Sequence, residues 1–260
     1  MSRKSRSNGI AQSRKHSGSF DGFRLNRIAA AVLLGVGGVP AWAAVGPGTN
    51  NITLHAGPGS TATSMVTNGL VTDITTNTVR GNTGFNSFGD FNVNNGNTVN
   101  LHVPSGKANL VNLVHDSRVV INGTLNGLKD GSIGGNIIFA DPHGLVVGAS
   151  GVVNVGSLTV TTPSASQMSQ LAATMTNGGD AEGTALAADL MAGKYNAGSG
   201  TISIEGRVNS AASVNLFAAS AVVANNAQVN AGAQVFQATV NTDGLVDATA
   251  AVRQDGSIVI

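Results

Sequence analysis

The sequence predicts an all-β chain wound as a solenoid with three faces per coil, and three observations carry that expectation. Of 260 residues, 42% are hydrophobic, 10% charged and 4% aromatic, so there is apolar surface to offset chain entropy but few large side chains for an ordinary helical core. Glycine contributes 35 residues, which suits short strands joined by tight turns. Apolar positions also recur with a period of 20 or 21 residues, three short segments to each period.

The first 44 residues are basic, with Arg3, Lys4, Arg6, Arg14, Lys15, Arg24 and Arg27 against Asp21, a balance of +6. From Ile28 the segment turns apolar through Ala44, short for a transmembrane span, and Ala41-Trp42-Ala43 has the small-x-small pattern of a cleavage site, an N-terminal membrane anchor or a buried helix being the alternative. Residues 1–44 therefore read as a signal peptide addressed to the Sec translocon and cleaved after Ala43 or Ala44. Residues 45–260 carry seven Lys and Arg against twelve Asp and Glu, a balance of −5, which leaves no basic footprint for nucleic acid. There is no cysteine, so disulfides do not hold the exported chain, and it can cross an outer membrane without being cross-linked in the periplasm.

Phe85, Phe88 and Phe91 come next and read as core or cap residues. Asn95-Gly96, Asn122-Gly123 and Asn126-Gly127 are turn signals, and the frequent Asn residues are read one by one as turn formers in preference to stacked ladders at coil corners. The cadence runs through Ile137-Ile138, Val146-Val147, Val152-Val153 and Leu158-Val160, with Ile138 to Leu158 spanning 20 residues. Asp141-Pro142-His143-Gly144 reads as a tight turn, proline setting φ and Gly144 permitting a positive one.

Residues 164–195 break the cadence and predict a helical insertion. Ser164 or Ser166 caps the first of one or two short helices, Gly178-Gly179 separates them and Gly193 follows the second. Their Met and Leu spacing reads as packing on the solenoid. The cadence resumes at Ile202, Val208, Val214, Val222, Val229 and Val235, so that Ile202 to Val222 spans 20 residues and both Val208 to Val229 and Val214 to Val235 span 21. Thr201-Ile202-Ser203-Ile204-Glu205 alternates as a half-buried strand should. Residues 241–260 are expected to continue the solenoid. They end on Gly256-Ser257-Ile258-Val259-Ile260 without a polar capping segment, as a truncated exoprotein, a partial gene product or a standalone secretion domain would.

The chemistry-bearing motifs of enzymes are absent from the sequence. It contains no His-Glu-x-x-His, Gly-x-Ser-x-Gly, Walker, EF-hand or dinucleotide fingerprint, and Asp116, Asp130, Asp141 and the five His are scattered. His115 and His143 read as surface or turn residues. No catalytic residue, metal or cofactor is expected.

Residues 84–96 (GFNSFGDFNVNNG), 108–114 (ANLVNLV), 121–127 (INGTLNG) and 141–163 (DPHGLVVGASGVVNVGSLTVTTP) together resemble the two-partner secretion domain that opens filamentous haemagglutinin-like exoproteins, a group of adhesins, haemolysins and contact-dependent toxins. The resemblance covers about residues 45–240. It implies a right-handed parallel β-helix with an N-terminal cap, recognised by the periplasmic (POTRA) domains of an outer-membrane β-barrel transporter. It also implies release from a Gram-negative bacterium to the cell surface or medium, where a host cell surface or carbohydrate is the partner. Family motifs of the Asn-Pro-Asn-Leu and Asn-Pro-Asn-Gly-Ile type fall on Asn109, Leu110, Asn112 and Leu113, and on Asp141, Pro142, His143, Gly144 and Leu145. The first lacks its proline and the second replaces both asparagines, which is closer to the high-molecular-weight adhesin branch. The rival classes are a β-helical polysaccharide-degrading enzyme, with Asp, Glu, Lys or Arg converging on one face, and a structural fibre assembling through open strand edges.

Overall fold

The computed structural model describes residues 48–232 together with the backbone of strands at 236–240, 252–254 and 257–259. The leader with Ala43 and Ala44 lies outside the described residues, as does Val235.

Alternating residues set the strands and glycine-bearing turns end them. The chain begins with β1 (Asn51–Leu54), β2 (Thr63–Asn68), β3 (Val71–Thr76) and β4 (Val79–Arg80), followed by the 11-residue β5 (Thr83–Val93). Then come β6 (Thr98–Val103), β7 (Asn109–Val114), β8 (Val119–Ile121), β9 (Thr124–Lys129), β10 (Ser132–Ile133), β11 (Asn136–Ala140), β12 (Gly144–Val147), β13 (Val152–Val155) and β14 (Ser157–Thr161). Helices α1 (Ala165–Asn177) and α2 (Asp180–Met191) interrupt the strands. The remainder is β15 (Thr201–Ile204), β16 (Arg207–Ser210), β17 (Val214–Ala218), β18 (Ser220–Val223), β19 (Gln228–Ala231), β20 (Phe236–Val240), β21 (Val252–Gln254) and β22 (Ser257–Val259).

Parallel pairing stacks these strands into the expected three-faced β-helix. Face one is the C-terminal part of β5 with β8, β12, β15 and β18. Face two is β3, β6, β9, β13, β16 and β19. Face three is the N-terminal part of β5 with β7, β11, β14, β17 and β20. Because β5 turns a corner within one strand, it joins faces one and three into a continuous sheet. Antiparallel pairs β1–β5, β4–β5 and β2–β3 form the N-terminal cap. At the other end β21 and β22 pair antiparallel with each other, and β22 lies antiparallel beside β19, in the place on face two where a further parallel rung was expected.

Inward residues stack in columns. On face two Val99, Leu125, Val153, Val208 and Val229 occupy paired positions and are all buried. Each such side chain stabilises the fold by about 1.5–3 kcal/mol relative to exposure. Phe88 and Phe139 pack edge-on against Phe91, with ring centroids 5.0 and 5.3 Å away, and all three are core, whereas Phe85 lies in a second cluster outside face three.

Several details of register differ from the sequence expectation. Val208 does pair with Val229, but Ile202 pairs with Ala221, and Val222 beside Ser203 points outward at 54% exposure. Ile137, not Ile138, pairs with Leu158, and Val214 pairs with Phe236. A slip of one residue reverses the face that every side chain meets, and apolar residues on both sides of these strands hide it. Coil length also varies. Successive partners on face two are 27, 26, 28, 55 and 21 residues apart, the largest step containing the helices. One earlier coil is lengthened by β10, which folds back antiparallel on β9 through Asp130 and Gly131.

Asn95-Gly96 and Asn122-Gly123 are turns, but Asn126-Gly127 lies inside β9. Gly127 faces inward, where a Cβ would stand 2.5 Å from Ile137 Cγ1, so the glycine is there for packing space. Asn126 belongs to a side-chain ladder on face two, so for this residue and four others the turn reading gives way to a ladder. The ladder sits mid-strand and not at a corner.

The insertion forms two helices capped as expected. Gln167 N–H donates to Ser164 Oγ at 3.3 Å, and Ser164 N–H donates to Gln167 Oε1 at 2.9 Å. Met168, Leu171, Met175, Leu186, Ala187 and Leu190 pack on Phe85, Val111, Leu113, Ile138 and Ala140, the outward side of face three. The same helices reach back to the cap: Gly81 N–H donates to Asp180 Oδ1 at 2.7 Å, and Asn82 N–H to Thr184 Oγ1 at 3.1 Å.

Candidate functional site

The two segments singled out by motif lie in neighbouring coils. β7 runs beside β11, and Leu113 pairs with Ala140, the residue before Asp141. Asn109 and Asn112 are buried ladder members. Asn109 Nδ2 donates to Thr83 Oγ1 at 3.3 Å, while its Oδ1 accepts from Asn136 at 2.8 Å. Asn112 points inward, accepting from Asn86 Nδ2 at 3.0 Å and donating to the Ile138 carbonyl at 3.2 Å. Leu110 faces the solenoid core, and Leu113 faces the helices.

Asp141 ends face three and begins the corner to face one. Its side chain is fully buried, with Oδ2 accepting from Val119 N–H at 2.9 Å and Oδ1 from His143 N–H at 2.8 Å. Burial pushes its carboxyl up to about 6, against the opposing pull of the N–H donors of His143 and Val119. Gly144 N–H closes the expected turn onto the Asp141 carbonyl at 3.1 Å, and Gly144 has φ +94°. A Cβ there would also collide with the Thr201 carbonyl of the next coil, so only glycine fits. Leu145 is core, Pro142 is half-buried and His143 is exposed. Of the nine motif residues, solvent therefore reaches Pro142 and His143, while the other seven are buried.

Pro142 and His143 form one wall of a cleft of about 620 Å³ whose other walls include His115, Pro58 and the Met168 and Ala172 side of α1. His115 is more than the surface residue its sequence context suggests. It stacks on His55 with ring centroids 3.9 Å apart, and its Nε2 lies 3.0 Å from Ser87 Oγ. Desolvation, then the His55 ring, pulls it down to about 4, with Asp116 opposing. Sequence reasoning missed this pair because Ser87 and His115 are 28 residues apart, a separation that means contact only once the coil length is known. Among the described residues no group of three His, Asp or Glu is placed to hold a metal ion.

Fold and site together define a capped parallel β-helix with one face shielded by helices and a tight-turn corner opening onto a cleft. The model of the TPS secretion domain family matches residues 52–260, and the chain belongs to that family. It is thus the N-terminal secretion module of a two-partner secretion exoprotein, exported across the outer membrane by a cognate transporter. The family is not enzymatic. None of the curated proteins compared with the chain matches it significantly.

Proposed function

We propose that this module belongs to an adhesin or haemagglutinin-like exoprotein and that the periplasmic POTRA domains of its transporter read segments 109–113 and 141–145 before the β-helix closes over them. The burial of seven of the nine motif residues supports this reading, since a partner docking on the folded surface reaches only Pro142 and His143. Such a partner would meet all nine in an extended chain. In the same scheme the Sec translocon carries the chain to the periplasm, cleavage follows Ala43 or Ala44, and a host cell surface or carbohydrate is met after release from a Gram-negative cell.

Expression of residues 1–260 with and without a candidate transporter tests the export step. Release into the medium is expected only with the transporter, and the N-terminal sequence of the released chain should start at Ala44 or Val45. Purified POTRA domains should bind a peptide covering residues 105–147 and bind the folded domain at least about tenfold more weakly. Equal binding to the folded domain, lost in His143→Ala, would assign recognition to the surface turn instead.

A further inference from the structure

On the outward side of face two, five asparagines form one hydrogen-bonded series. Asn230 Nδ2 donates to Asn209 Oδ1 at 3.0 Å, Asn209 to Asn154 at 2.9 Å, Asn154 to Asn126 at 2.9 Å and Asn126 to Asn100 at 3.0 Å. Asn100 Nδ2 then donates to Asp73 Oδ1 at 3.0 Å, where His102 Nε2 also lies at 2.8 Å. The series continues unbroken from Asn154 to Asn209, across the 55 residues that contain both helices.

The direction of the ladder follows from chemistry at one end. An ionised carboxylate only accepts, so Asn100 must present its NH₂ to Asp73 and its oxygen to Asn126, and each later amide is oriented in turn. Asp73 is an ordinary acid ionised at neutral pH, and the bonds from His102 and Asn100 hold its carboxyl lower still.

We propose that the Asp73–Asn230 series is an oriented register key, set by Asp73, that fixes the alignment of each coil on its neighbour. A strand that slips by one residue turns its asparagine into the core, and at β16 it brings Val208 or Ser210 to the acceptor in place of the amide, so the key rejects the slip chiefly through the cost of burying the asparagine. It does so at β16, where the intervening helices leave register least constrained by chain connectivity. The inference does not depend on how the transporter reads the chain.

A polarity-reversal cycle on the full chain tests it. Asn126→Asp sets a second acceptor-only group within the ladder, so that Asn154 can still donate but the Asn100 oxygen faces a carboxylate. The unfolding equilibrium constant, read by urea titration, is expected to rise about tenfold. Adding Asp73→Asn frees the Asn100 amide to turn over and donate to position 126 while accepting from position 73. The D73N/N126D chain should return to within about threefold of the parent. The rescue should persist in about 1 M salt, where the Debye length is about 3 Å. If N126D does not fold, recovery of the fold in the double variant is the same readout. A double variant no better than N126D, or a rescue that disappears in high salt as plain charge repulsion would, overturns the proposal.

Discussion

Faces two and three are each six parallel strands, yet they meet their outer surroundings by opposite means. Face three carries Val111, Leu113, Ile138 and Ala140 outward and hides them beneath α1 and α2. Face two carries Asn100, Asn126, Asn154 and Asn209 outward, joins them side chain to side chain and leaves them half-buried, with no covering element among the described residues. The inner columns are mostly apolar on both faces, face three adding the inward Asn86–Asn112 pair. The difference shows that strand pairing and inward packing make the coil, while the outward residues decide whether a face is shielded or bare. A shielded face gains apolar burial but depends on the insertion. A bare face gains modest hydrogen bonds that depend only on neighbouring coils.

The sharpest way to break this contrast is to give face three the solution used by face two. Ile138→Asn buries an amide under the helices without a designed partner, and it should lower stability by about 3 kcal/mol or more in urea titration. A loss below about 1 kcal/mol would mean that the shield is loose enough to admit water. Leu186→Ala on the shield itself should cost about 2–3 kcal/mol. Hydrogen exchange should then quicken across residues 165–191 while β9 and β13 on face two stay protected, because the helices pack on the outward side of face three and on the cap.

The corner where face three gives way to face one sharpens the comparison through pH. Asp141 is raised to about 6 by burial, so its stabilising contribution is complete below its ordinary value near 4 and is lost as pH rises through 6. His115 is lowered to about 4, so its contribution is complete above its ordinary value near 6.5 and is lost as pH falls through 4. The two slopes oppose each other between pH 4 and 6.5. Relative to the parent, Asp141→Asn should lose stability on going from pH 7 to pH 4.5, and His115→Gln should gain it. The Asp141 difference should be on the order of 2 kcal/mol. Urea midpoints at the two pH values measure both, and parallel shifts in the two variants would contradict the opposed assignment.

The smallest effect is expected on the bare face. Asn126→Val removes two ladder bonds, but its partners remain within reach of water, so the loss should stay below about 1 kcal/mol. A cost as large as that of Ile138→Asn would show that the ladder is as well shielded as the helix-covered face and would remove the distinction between them.

The sequence is legible where a few consecutive residues decide the outcome. The alternation at Thr201–Ile204 places Ile202 and Ile204 inside, Ser164 caps α1, and Asp141–Gly144 makes the tight turn. The family was legible from the motif order, and residues 52–260 match it. Legibility failed where two coils must be compared. The spacing of Val222 from Ile202 suits a 20-residue coil and predicts Val222 inside, but the pairing puts Ala221 there. Asn126-Gly127 has the dipeptide of a turn, yet Ile137 fills the space over Gly127 and keeps it in a strand.

The sequence by itself determined the three-faced solenoid, the helical interruption and the family, because composition, alternation and caps act over spans of a few residues. Only the tertiary structure decided that the motif asparagines at 109 and 112 are buried, that His55 and His115 stack, and that an aspartate orients an amide ladder. Those contacts join residues from one coil to the next, 21 to 60 positions apart, and coils of unequal length have no fixed period from which such neighbours can be read.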